Sequence, residues 1–81
     1  MKIEILGPGC AKCNTLAANT KAVADKLDLD YQLVKVTELG KIASYGVMMT
    51  PAIVIDGQVR LSGKLPSESE LTNILQSAAQ Q

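Results

Sequence analysis

The sequence predicts an α/β fold: a four-stranded mixed sheet and three helices, in the order strand, helix, strand, helix, strand, strand, helix. Three observations carry this. Apolar and polar residues alternate at 2–6 and 31–36, the two-residue period of strands. Apolar residues recur at three- and four-residue steps over 13–27 and 71–78, the period of helices. An unbroken apolar run at 52–55 is followed by Asp56-Gly57, a two-residue hairpin signal. Parallel strands need crossover helices and hairpins join antiparallel strands, so the sheet mixes both.

The first strand is Lys2 to Leu6, with Ile3 and Ile5 on one face and Glu4 and Leu6 on the other. Gly7-Pro8-Gly9 ends it, because proline lacks a donor and glycine permits unusual dihedrals. A helix opens at Cys10, its buried stripe being Cys13, Leu16, Ala17, Thr20, Val23, Ala24 and Leu27. Tyr31 to Val36 forms the second strand. Thr37 is placed to cap a short helix from Glu38 to about Tyr45, and Gly46 stops it. In this reading Tyr45 packs its helix. Ala52 to Ile55 is a strand buried on both faces, and Gln58 to Ser62 returns with Val59 and Leu61 on one face. Ser67 and Glu70 form a capping box for a last helix whose apolar face is Leu71, Ile74, Leu75 and Ala78; Gln80-Gln81 is expected to fray.

No linker, repeat or low-complexity stretch divides the 81 residues, so residues 1–81 form one domain. Eight Lys and Arg balance eight Asp and Glu, and a neutral chain without a basic run argues against nucleic acid or an anionic membrane as partner. There is no Trp or Phe and there are only two Tyr, too few for base stacking. No apolar stretch approaches the roughly 18 residues of a membrane span. The chain opens directly on a strand, so no signal peptide is expected and the location is read as cytoplasmic.

The absence of His removes His-based acid–base pairs and His metal ligands, which leaves one constellation with chemistry. Cys10 and Cys13 are the only cysteines, at the junction of the first strand and first helix. Residues three apart on a helical turn have Cα atoms roughly 5–6 Å apart, within the ~4.4–6.8 Å that a disulfide accepts. The bridge can form and break with almost no backbone movement. At a helix N-terminus Cys10 meets unpaired N–H groups and the positive end of the macrodipole, and Lys12 adds a positive charge. A thiol with an ordinary pKa of ~8.5 is only about 3% thiolate at pH 7, whereas one near 7 is about half ionised. Cys13, one turn in and on the buried stripe, is suited to resolve a mixed disulfide.

The pair has two other possible uses. As a structural staple it would constrain so short a loop by only about 2 kcal/mol. As a metal site it falls short of the four ligands of zinc, though two thiolates with Met48 or Met49 could hold Cu(I). The two methionines read more simply as core filler or rim. Cys-x-x-Cys on a βαβ pattern points to redox chemistry.

These residues resemble the thioredoxin-like superfamily. Gly9-Cys10-Ala11-Lys12-Cys13 opens a helix after a strand, Thr50-Pro51 stands just before the hairpin strand where that family carries a cis-proline, and the βαβαββα order is that of glutaredoxins. The Lys-Ile-x-Ile start and Gly-x-Gly-Cys-x-x-Cys are most similar to the small prokaryotic thioredoxin/glutaredoxin-like proteins of the redox-active disulfide protein 2 type. The chain departs from thioredoxin in having Gly9 for Trp and Ala11-Lys12 for Gly-Pro. It departs from glutaredoxins in Ser62-Gly63-Lys64-Leu65, which lacks their acidic pair for glutathione.

The resemblance implies a thiol–disulfide oxidoreductase with catalytic Cys10 and Cys13, supported by Lys12, Thr50, Pro51 and Glu4, with no cofactor and no metal. It implies disulfide-containing protein substrates, a thioredoxin-reductase-like or other electron donor, and a monomer. Glu4 stands six residues before Cys10, where thioredoxins bury a carboxylate that relays a proton; as a strand residue alone it would reach solvent. The alternatives are a soft-metal (Cu(I)/Zn) carrier, whose fold order βαββαβ ends in a strand, and a redox-inactive binding module on the same fold.

Overall fold

The computed structural model describes residues 1–80. Its elements are β1 (Lys2–Leu6), α1 (Ala11–Lys26), β2 (Gln32–Val36), α2 (Leu39–Ser44), β3 (Ala52–Ile55), β4 (Gln58–Ser62) and α3 (Glu68–Ala79). The sheet order is β2-β1-β3-β4; β2 runs parallel to β1, and β3 and β4 are antiparallel to their neighbours. The last described element is a helix, so the order is not that of the heavy-metal carriers.

Strand periodicity divides the core between two faces. Ile3 and Ile5 of β1, with Ile53 and Ile55 of β3, meet Leu16 and Ala17 of α1 and Leu71 and Leu75 of α3. Leu6, Ala52 and Val54 point the other way, to a smaller cluster with Val36 and Ile42, against which Tyr45 and Val47 rest. Two helices cover one face and only the six-residue α2 covers the other. Asp56 and Gly57 both have positive φ (49° and 84°), the backbone that a tight hairpin between β3 and β4 requires.

Four local expectations are corrected. The α2 N-cap is Glu38, not Thr37, and no side chain caps it; the first helical bond runs from the Ile42 N–H to the Glu38 carbonyl. Tyr31 lies outside β2 and its hydroxyl donates to Asp25 Oδ1 at 2.6 Å. A bulge in the β3–β4 pairing sets Leu61 opposite Ile53 but Val59 opposite Val54, so Val59 and Leu61 leave the sheet on opposite faces. The extra residue, Arg60, breaks the alternation that periodicity assumed. Gln80 is the α3 C-cap, donating its N–H to Ser77, and Gln81 lies outside the described residues.

The Ser67–Glu70 capping box forms as read: the Glu70 N–H donates to Ser67 Oγ and the Ser67 N–H to Glu70 Oε1, both at 3.1 Å. The other oxygen of Glu70 accepts from Lys64 Nζ at 2.7 Å. Lys64 first, and the Ser67 N–H second, hold this carboxyl below its ordinary pKa of 4.5. A carboxyl lowered in the folded state stabilises fully above its unfolded pKa, and that contribution is lost as pH falls through the lowered value. Glu70→Gln is therefore expected to flatten the acid side of the stability curve below about pH 4.5. Urea midpoints between pH 7 and pH 3 check this; an equal decline in both proteins would remove Glu70 from the account.

Candidate active site

The site is built where β1 runs into α1. The Gly7 N–H donates to the Val36 carbonyl at 2.9 Å, so the strand ladder extends one residue beyond β1. Gly9, with φ +96°, then turns the chain in a conformation that L side chains rarely adopt. Cys10 follows as N-cap with extended dihedrals, and Cys10 and Cys13 are joined as a disulfide with Cα atoms 5.1 Å apart. The Cys13 N–H donates to Cys10 Sγ at 3.2 Å. Sulfur thus takes the place that a Ser or Asp oxygen holds in ordinary caps, and one orphan donor of the helix end points at it.

The two cysteines differ in access. Cys10 is exposed, while Cys13 is 4% exposed on the face of α1 that meets the sheet. Gly7 is what admits Cys13: a Cβ at position 7 would collide with Cys13 Sγ and lie 3.9 Å from Thr50 Cβ. Gly7, Cys13 and Thr50 therefore converge. The Thr50–Pro51 peptide is cis, Pro51 is buried, and its carbonyl accepts from the Gly63 N–H at 2.9 Å. No acidic residue occupies the first turn of α1, and Lys12 there is exposed, so charge and macrodipole add in the same sense. Lys35 of β2 donates from Nζ to Asn14 Oδ1 at 3.3 Å, which brings a second cation to this turn.

Glu4 is only 4% exposed, contrary to its reading as a strand residue that reaches solvent. It leaves β1 on the face of Leu6 and Val54, the side of α2, and its oxygens lie 2.8 and 2.7 Å from the Tyr45 hydroxyl. A phenol has one proton, so the two contacts share one donor. Donation to this carboxylate, then burial, raises the Tyr45 pKa above its ordinary 10.0. Tyr45 therefore does more than pack its helix. It stands 41 residues from Glu4, a separation at which no sequence pattern reports contact. Gly7, which in the sequence marks only a turn, likewise makes a close contact that no local pattern reports. Met48 and Met49, 96% and 64% exposed, are rim and not core filler.

The thioredoxin domain model Thioredoxin_3 matches residues 1–76. The chain belongs to the thioredoxin family. Over 93% of its length it is 33% identical to thioredoxin of Methanothermobacter thermautotrophicus, covering 97% of that protein, and 39% identical to thioredoxin of Methanocaldococcus jannaschii, covering 86%. Thioredoxin 1 of the thermophilic eubacterium Thermosipho africanus shares the fold, with a TM-score of 0.65 and 22% identity across 99% of this chain and 96% of that one. This thioredoxin-family protein is a thiol–disulfide oxidoreductase, and Cys10–Cys13 is its reversible disulfide. Its partners are accordingly disulfide-bearing substrates and a reductase that returns electrons. No helix among the described residues is long and apolar enough to cross a membrane.

Proposed function

We propose that Cys10 is the attacking thiol and Cys13 the resolving thiol in the reduction of disulfides in proteins. The observation that carries this is the asymmetry of the pair: Cys10 is exposed and accepts the Cys13 N–H at a helix N-terminus, while Cys13 is 4% exposed behind it. Cys10 thiolate attacks one substrate sulfur, and the other leaves as a thiolate that takes up a proton. Cys13 then gives up its proton and attacks Cys10 Sγ, releasing the second substrate thiol. Two electrons pass to the substrate and the domain is left as the Cys10–Cys13 disulfide. A thioredoxin-reductase-like donor, or another dithiol, returns two electrons.

The remaining residues support the pair in different ways. Lys12 favours the Cys10 thiolate by charge. Thr50, beside Cys13 and just ahead of the buried Pro51, offers its backbone to an extended substrate segment as an added strand would meet a sheet edge. Glu4 leaves β1 on the side away from α1, so its support reaches the dithiol through the fold. The protein acts as a monomer in the cytoplasm, a compartment that keeps thiols reduced.

Alkylation of the reduced protein with iodoacetamide at pH 7 tests the roles. Cys10 is expected to react about tenfold faster than Cys13. Lys12→Gln should slow labelling of Cys10 about two- to fivefold, the worth of one charge in the first turn of a helix. Equal rates at both thiols, or faster labelling of Cys13, would overturn the assignment.

A further inference from the structure

The Tyr45–Glu4 bond lies where a positional device is needed. The segment 46–50 connects α2 to β3 and carries Met48 and Met49, which are 96% and 64% exposed, so burial does little to hold its middle. Its far end is secured: Pro51 is buried, the Pro51 carbonyl accepts from the Gly63 N–H at 2.9 Å, and Thr50 stands beside Gly7 and Cys13. Its near end begins at Gly46, with φ +78°, directly after Tyr45. Within the segment Val47 rests on the same apolar cluster as Tyr45, a contact without direction, so Tyr45, directly before Gly46, is the residue at this end that adds a directional bond.

We propose that Tyr45 is a positioning residue for substrate docking: its bond to Glu4 latches the near end of the 46–50 segment to β1, the strand that leads into Cys10. This rests on the exchange chemistry proposed above, because the segment matters only where a substrate lies against the dithiol.

The physical case has two parts. Tyr45 rests on an apolar cluster that includes Leu6, Ile42 and Val54. An apolar side chain could slide on such a surface, whereas a hydroxyl held 2.8 and 2.7 Å from two carboxylate oxygens has one place to be. The carboxylate in turn is 4% exposed, and leaving it without a donor costs free energy that a solvated pair would not feel. Two neighbours of Glu4 in the ladder, Val34 and Val54, carry no charge, and Lys35, next along β2, is bonded to Asn14. The occupant of the docking edge is an extended segment of a disulfide-bearing protein, its backbone along Thr50 and its apolar side chains on the flexible thioether rim of Met48 and Met49.

The test uses the full chain and two probes, insulin as a protein disulfide and 5,5′-dithiobis(2-nitrobenzoate) as a small one. In Tyr45→Phe, which keeps the ring and loses the donor, KM for insulin is expected to rise about fivefold and kcat to change less than KM. Amide hydrogen exchange should accelerate at Tyr45 and Gly46, whose N–H groups donate to the Ile42 and Ala43 carbonyls at the near end of the segment, while β1 and β3 stay protected. Glu4→Gln keeps an acceptor for the Tyr45 hydroxyl and should retain this protection. Glu4→Leu should lose it, and the Tyr45→Phe/Glu4→Leu pair should lose no more than either change alone. Unchanged exchange at these two amides in Tyr45→Phe, or faster exchange spread equally over β1 and β3, would overturn the latch. A wild-type protein that reduces neither probe would overturn the exchange reading instead, and amide exchange alone would then decide the latch.

Discussion

Replacing Cys10 by serine is expected to bring disulfide reduction down to the uncatalysed background, a loss on the order of a thousandfold or more. A serine hydroxyl is scarcely ionised at pH 7 and forms no disulfide, so neither the attack nor the later bridge is possible. Cys13→Ser should fail differently. The exposed Cys10 keeps its place at the α1 N-terminus, and residue 13 still supplies the N–H that Cys10 Sγ accepts at 3.2 Å. The first step therefore proceeds and the second cannot. Substrate remains attached through Cys10, and turnover stops after one event. Intact-mass measurement of each variant, mixed with a disulfide-bonded protein and quenched with acid, checks this: Cys13→Ser should carry the added mass of one substrate and Cys10→Ser none. The reverse pattern would exchange the two roles.

Gly7→Val is expected to be the most damaging change that leaves both cysteines in place. The alanine Cβ alone would meet Cys13 Sγ and Cβ, with Thr50 Cβ 3.9 Å away, and none of these is the loose end of a long side chain. Either α1 shifts outward or the cysteine leaves its rotamer. Overpacking of this kind costs about 1–3 kcal/mol. That is a large share of the roughly 4–12 kcal/mol that a chain of this length has to lose. Gly7→Ala should fall at the lower end and Gly7→Val at the upper end or beyond, read as urea midpoints of the oxidised protein. Both should also slow resolution of the mixed disulfide, because the sulfur displaced is Cys13. Gly40 supplies the control. Nothing lies within 4 Å of a Cβ built there, and the residue sits in α2, so Gly40→Ala should stabilise by roughly 0.5–1 kcal/mol. Equal effects at positions 7 and 40 would show that the close approach of Cys13 to β1 is not what makes Gly7 necessary.

The sequence discloses the cysteine pair and Gly7 to different extents. That Cys10 and Cys13 form the reactive pair follows from residues three apart at a strand-to-helix junction, a local fact visible in the sequence. That Gly7 is the floor beneath Cys13 does not, because a glycine in Gly7-Pro8-Gly9 looks the same whether it serves a turn or a close contact. Glu4 marks a similar boundary. Alternation correctly puts it on the face opposite Ile3 and Ile5, but whether that face meets water or α2 depends on where a helix more than thirty residues later is laid down.

The physical range of each interaction decides which features a sequence discloses. Strand and helix periods, the Asp56-Gly57 hairpin, the Ser67–Glu70 capping box and the spacing of the two cysteines all act within one turn or one pleat. For that reason the sequence by itself determined the element order, the mixed sheet, the redox pair and the deeper burial of Cys13. Only the tertiary structure decided that Glu4 is covered and meets Tyr45, that Thr50 stands beside Gly7 and Cys13, and that the bulge at Arg60 sends Val59 and Leu61 to opposite faces. Each of these depends on the register and packing of segments far apart in the chain. A change of one residue in pairing reverses every side chain beyond it, and no local pattern records that count.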